Sequence, residues 1–115
     1  MLKDALVQFG LSKNEVEVYL FLLKNGVSSP AQISAGTNIS RPNTYPLLLT
    51  LEAKDLAREE KMGNKKAYLA TDPESLYRSI EHKQETIQEI LPELRALHVK
   101  QKNKPSIQFF DGKEQ

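Results

Sequence analysis

Two short helical segments, broken by a Gly-Thr-Asn turn and followed by a hairpin signal, dominate the middle of this chain. Ser28-Ser29-Pro30 opens the first segment, which runs through Ile33, and Gly36-Thr37-Asn38 ends it. Ser40-Arg41-Pro42-Asn43-Thr44-Tyr45 opens the second, which carries Leu48 and Leu51. Leu56 leads into two strand candidates, Leu56–Lys61 and Lys65–Ala70, around Gly63-Asn64. Lys and Glu are weak strand formers, so the turn residues carry that reading. A helix-turn-helix with a wing is an architecture whose second helix fits the major groove of duplex DNA.

The flanking segments fit the same plan. Leu2, Leu6, Val7 and Phe9 predict an opening helix closed by Gly10 as a left-handed cap. Ser12-Lys13-Asn14-Glu15 matches a capping box. Val16, Tyr19, Leu20 and Leu23 follow at helical spacing, widened by Val18 and Leu22, until Gly26. Ser29 is suited to cap the next helix, with Pro30 at its first position. The following helix has two possible starts. It begins at Ser40 and bends at Pro46, which is preferred, or Asn43/Thr44 is the true cap and Pro46 lies in the first turn. In either case Tyr45, Leu48 and Leu51 share one face and Asn43, Leu47, Thr50 and Lys54 the opposite one.

Thr71-Asp72-Pro73-Glu74 starts a last long helix. Leu76, Ile80, Lys83, Ile87, Ile90, Leu94 and Leu97 occupy alternating a and d heptad positions, a pattern that calls for a partner helix. Pro92 predicts a bend or local break. The residues from Lys104 to Lys113 change character, with Ile107 and Phe109 alternating as in a strand. The expected organisation is a mainly α winged helix-turn-helix over residues 1–71, a coiled-coil dimerisation helix over 72–100, and a strand-like tail or linker over 101–115.

Composition narrows the function. Net charge is only +1, but its distribution is uneven. Lys61, Lys65 and Lys66 form the densest basic cluster without an acid, at the hairpin tip. The long helix is acidic, with three Lys/Arg against six Asp/Glu over residues 72–99. A local patch is what phosphates respond to. The chain has no cysteine, which excludes disulfides and thiolate metal sites and fits a cytoplasmic protein. No apolar run approaches the roughly 20 residues that span a bilayer. His82 and His98 are too far apart on a straight helix to share a metal. No catalytic constellation, metal site or cofactor motif is visible, so no enzyme activity is expected.

These features resemble a known family. Gly10-Leu11-Ser12-x-x-Glu15-x-x-x-Tyr19-x-x-Leu22-Leu23-x-x-Gly26 is similar to the start of TrmB-type transcriptional regulators. Arg41-x-x-x-Tyr45-x-x-Leu48-x-x-Leu51-Glu52-x-Lys54-x-Leu56 resembles their recognition helix and wing approach. Tyr68-x-Ala70-x-x-Pro73-Glu74-x-Leu76 resembles the wing exit. Lys104-Pro105 and Phe110-x-Gly112-Lys113-Glu114 resemble the linker before an effector domain. The resemblance implies a dimeric winged helix-turn-helix repressor or activator, archaeal or bacterial, whose C-terminal domain binds a sugar or similar effector. Effector binding is not carried over to this chain alone. Two features depart from the family pattern: Pro46 stands where an ordinary helix former is usual, and Leu47 and Leu49 make the recognition helix more apolar.

The expected partners are double-stranded DNA and a second copy of the chain. Arg41, at the start of the recognition helix, is placed for base edges or phosphates, and Ser40, Asn43, Thr44 and Thr50 carry suitable donors and acceptors. Leu47 suits a thymine methyl group, or the core if the register differs by one. Lys54 joins them on the same face. Lys61, Asn64, Lys65 and Lys66 would follow flanking phosphates or the minor groove, and Ser28, Ser29 and Gln32 would donate to a phosphate from a helix N-terminus. Tyr19, Tyr45 and Tyr68 read as core or rim residues. The rival reading is a winged helix used as a protein-interaction module, favoured by the near-neutral charge and by Leu47 and Leu49.

Overall fold

The computed structural model describes residues 1–102. The order of elements is α1 (Leu2–Phe9), α2 (Lys13–Asn25), α3 (Pro30–Thr37), α4 (Arg41–Ala53), β1 (Ala57–Met62), β2 (Lys65–Ala70) and α5 (Ser75–Lys102). The chain divides into a unit from Met1 to Ser79 and a second from Ile80 onward. The strand-like tail expected from Lys104 onward lies outside the described residues.

Local chemistry sets most helix ends. Ser12 caps α2 reciprocally, its Oγ accepting from the Glu15 N–H while Glu15 accepts from the Ser12 N–H. Ser29 and Gln32 repeat the motif at α3, with Pro30 in the first turn. Gly10 and Gly26 end their helices as expected, but neither is a left-handed cap: their φ values are 132° and 72°, with ψ of 11° and −149°. Gly26 therefore keeps the need for glycine but turns the chain differently.

Helix α3 extends beyond the expected break. Gly36 is helical, and the turn comes at Asn38, with φ 64° and ψ 23°. The reason is a close approach of α2: a Cβ on Gly36 would fall within the Phe21 ring. Ser34 and Thr44 both donate to the Ile39 carbonyl, which ties the turn between α3 and α4 to both helices.

Helix α4 starts at Arg41 with Ser40 as N-cap and contains Pro46 within one continuous helix. The Ser40 side chain makes no capping bond. Its carbonyl instead accepts from the N–H groups of Asn43 and Thr44 at 3.0 Å each. An interior proline costs about 3 kcal/mol. Thr44, Leu48 and Leu51 are fully buried on the inner face, and that packing holds the helix together.

The core joins Leu6, Leu11, Val16, Val18, Tyr19, Leu22, Ile33, Leu48, Leu51, Leu56, Ala57 and Tyr68. Leu23, expected in the α2 stripe, is exposed. Val18 and Leu22, which widen that stripe, are both buried, because α2 is covered by α3 and α4. Strands β1 and β2 are antiparallel, from Ala57↔Ala70 to Met62↔Lys65. Gly63, with φ 64°, opens the two-residue loop, as a type II′ hairpin requires. An isolated bridge that the residue pattern did not reveal pairs Ser28 with Tyr68, through bonds of 2.9 and 2.8 Å. It anchors the inner strand of the wing to the loop before α3.

Helix α5 begins at Ser75, later than the Thr71–Glu74 capping motif suggested. Asp72–Glu74 form a turn, closed by the Glu74 N–H donating to Asp72 and the Ser75 N–H donating to the Asp72 carbonyl. Leu76 packs against the core of the first unit, and Arg78 pairs with Asp55 at 3.6 Å. In the second unit α5 continues through Pro92 without a break, with Ile80, Ile87, Ile90, Leu94 and Leu97 all exposed. Among the described residues no helix is long and apolar enough to cross a membrane.

Alanine in place of an interior helical glycine ordinarily stabilises by about 0.5–1 kcal/mol. At Gly36 the sign should reverse, because the new methyl displaces Phe21. Gly36→Ala is expected to lower the urea midpoint of unfolding, and the ordinary gain should reappear in a Phe21→Ala background.

Candidate nucleic-acid interface

Helix α4 has a dry inner face and an unusual outer one. Thr44, Leu48 and Leu51 point inward. Pro42, Pro46, Leu49 and Ala53 lie opposite, and all four are exposed. Asn43 and Thr50 flank this ridge on one side, and Arg41 and Tyr45 on the other, each of them exposed. The Arg41 guanidinium lies 3.4 Å from the Tyr45 hydroxyl.

A cleft runs from this flank to the wing. Its lining is Ser29, Pro30, Ala31, Arg41, Tyr45, Lys65 and Lys66. Three of those side chains are cations and none is acidic. The wing adds Lys61, paired directly across the hairpin from Lys66. Like charges facing each other across a strand pair repel, and a bound anion relieves the repulsion. All three wing lysines are exposed, as is Asn64 at the tip. The cleft thus offers cations from two separate elements beside the first turn of α3, whose N–H groups are partly satisfied by the Ser29 and Gln32 cap.

The profile of the sugar-specific transcriptional regulators of the TrmB type matches residues 6–74, which is the capped helices, α4 and the wing together. The chain belongs to the TrmB family. It is 33% identical over 97 residues to the DNA-binding HTH-type transcriptional repressor TrmBL2 of Thermococcus kodakarensis, covering 79% of this chain and 36% of that protein. A solved structure of TrmBL2, described as an archaeal chromatin protein with a novel mode of DNA binding, superposes with a TM-score of 0.69 at 28% identity. It covers 80% of this chain and 36% of its own. The chain therefore spans about a third of the length of these relatives. A MarR family transcriptional regulator from Silicibacter pomeroyi shares the fold at 16% identity and a TM-score of 0.56, over 91% of this chain and 66% of its own.

Within this TrmB-family fold the site residues read from the sequence separate into two groups. Arg41, Asn43, Lys61, Asn64, Lys65 and Lys66 stand exposed around α4 and the wing. Ser29 and Gln32 lie at the start of α3 but are occupied with each other in the capping box. Ser40 is exposed as the α4 N-cap.

The other four face differently from expectation. Thr44 is fully buried and donates to the Ser40 carbonyl at 2.9 Å. Leu47 is half-buried against the core. Thr50 donates to Glu15 at 2.6 Å, and Lys54 bonds both Glu15 oxygens at 2.8 and 3.0 Å and the Gly10 carbonyl at 3.2 Å. The face assigned to Asn43, Leu47, Thr50 and Lys54 therefore belongs largely to the contact between α4 and α2. Helical spacing alone puts Tyr45 in the core stripe, whereas Thr44 fills that position and Tyr45 lines the cleft. The i, i+4, i+7, i+11 spacing of Pro42, Pro46, Leu49 and Ala53 was the available signal for the true outer face. Among the described residues no cluster of His, Cys, Asp or Glu is arranged to hold a metal.

Glu15 is a buried carboxylate at the centre of the α2–α4 contact. Burial pushes its pKa up, but bonds from Lys54, Thr50 and the Ser12 N–H, with the Lys54 charge, outweigh this and hold it below the ordinary 4.5. A depressed carboxyl pKa contributes stability that is fully present above the unfolded value and lost as pH falls through the folded one. Glu15→Gln should cost about 2 kcal/mol at neutral pH, less than a fully buried pair because Lys54 is half-exposed. Chemical denaturation between about pH 6 and pH 3 should show a shallower loss of stability for Glu15→Gln than for the unaltered chain.

Proposed function

We propose that the chain is the DNA-binding part of a homodimeric transcriptional regulator, with α4 in the major groove and the wing on the flanking backbone. The observation that carries this reading is the acid-free cationic cleft between α3, α4 and the hairpin, adjoining the outer face of α4. Arg41, Lys65 and Lys66 take the phosphates on one edge of the groove, and Lys61 extends the contact along the wing. Phosphate contacts hold the register of the protein on the duplex and make affinity salt-dependent. Asn43 and Arg41 supply donors at the first turn of α4, where helix-turn-helix proteins meet base edges.

Dimerisation falls to α5. Its Leu76, Ile80, Lys83, Ile87, Ile90, Leu94 and Leu97 follow the a and d spacing of a coiled coil, and the five apolar residues from Ile80 onward are 43–63% exposed. Residues 1–71 then read DNA, and residues 72–100 join the two copies. Two recognition helices in successive major grooves require a pseudo-palindromic operator with half-sites about one helical turn apart. Regulation follows from blocking or recruiting polymerase.

Fluorescence anisotropy with duplex DNA over a salt series from about 50 to 200 mM should show affinity falling steeply. Replacing Lys61, Lys65 and Lys66 together by alanine should reduce the slope of log affinity against log salt by about 0.9 for each phosphate no longer neutralised. An unchanged slope removes the wing from the interface. Ile87→Glu combined with Ile90→Glu should give monomers by sedimentation equilibrium and weaker DNA binding. A dimer that survives both changes refutes the coiled-coil assignment.

A further inference from the structure

The outer ridge of α4 is unlike a hydrogen-bonding readout surface. Pro42, Pro46, Leu49 and Ala53 are all exposed, and none has a side-chain donor or acceptor. Leu49 is 61% exposed, so burial within the chain does not account for it. Pro46 is the more telling residue. It sits at an interior helical position that costs about 3 kcal/mol, and its side chain packs in no core. A costly residue without a packing role marks a functional surface.

We infer that this ridge recognises thymine 5-methyl groups in the major groove, so that α4 reads methyl positions rather than base hydrogen bonds. The inference rests on the DNA-binding reading above. Three features favour a duplex as the occupant. The ridge lies on the face of α4 opposite the core, where a recognition helix meets the groove floor. Arg41 and the wing lysines stand beside it without an acid in the cleft, which complements phosphates flanking the groove. The thymine methyl is the apolar feature the major groove floor presents. Asn43 and Arg41, at the edge of the ridge, then fix position and leave most of the discrimination to Pro46 and Leu49.

The test uses the full chain and a set of duplexes that differ only in methyl groups. An A·T-rich duplex is compared with the same sequence carrying uracil for thymine, and a G·C-rich duplex with its 5-methylcytosine form. Removing a methyl should weaken binding by about fourfold for each one touched, the equivalent of one buried CH₂ group. Methylation of cytosine, which restores a methyl at the same place in the groove, should strengthen it. Leu49→Asn should shrink both differences, and Leu49→Asn combined with Pro46→Gln should remove most of them, while the salt slope stays unchanged because neither change removes a cation. Equal affinity for the thymine and uracil duplexes, with salt-dependent binding intact, overturns the methyl readout and leaves the DNA-binding reading standing. Binding to no duplex at low salt defeats both readings.

Discussion

The Glu15 carboxylate is the point on which the geometry of the first unit depends. It closes the cap of α2 through Ser12 and receives Thr50 and Lys54 from the last turns of α4. Lys54 also reaches the Gly10 carbonyl, so the end of α1, the start of α2 and the end of α4 meet at one ion pair. A buried charge held by several donors is directional in a way that apolar contacts are not. Rotating α4 about its axis would break these bonds and would also carry Thr44, Leu48 and Leu51 out of the core. The ion pair and the packing of the inner face together set which side of α4 is presented outward.

That orientation gives α4 its unusual character. The helix is apolar on both sides, with Leu48 and Leu51 inward and Pro46 and Leu49 outward. Hydrophobicity alone does not tell the two faces apart. What separates them is where polar atoms are satisfied. Thr44 returns its hydroxyl to the Ser40 carbonyl and is buried at no cost in hydrogen bonding, whereas Tyr45 carries its hydroxyl toward Arg41 at the cleft. The helix tolerates the exposed proline at position 46 because its inner face is fully packed.

Charge is organised by the same separation of roles. The chain is nearly neutral, with a net charge of +1. Its cations nevertheless collect where β2 and the first turn of α4 converge, while acids outnumber cations over residues 72–99. The Ser28–Tyr68 bridge matters here, because it fixes β2 to the loop before α3 and so brings Lys65 and Lys66 to the N-terminal end of that helix. Two lysines facing each other at the hairpin tip are a poor arrangement for an isolated sheet and a good one beside a polyanion.

Much of this was written in local chemistry. The capping box at Ser12, the cap at Ser29, the hairpin at Gly63-Asn64 and the heptad spacing of α5 depend on residues close in sequence, and each was legible from the chain alone; of the two starts open to α4, the structure takes the preferred one after Ser40. The helix-turn-helix with a wing followed from their order, and so did the basic cluster. Tertiary structure decided what depends on distant partners. Phe21 explains why Gly36 stays helical. Tyr68 gives Ser28 its strand pairing. Glu15, 35 residues before Thr50, turns a polar face that reads as a binding surface into part of the interior contact. Periodicity gives the angle between side chains on a helix but not the absolute rotation of that helix, which only packing against its neighbours supplies.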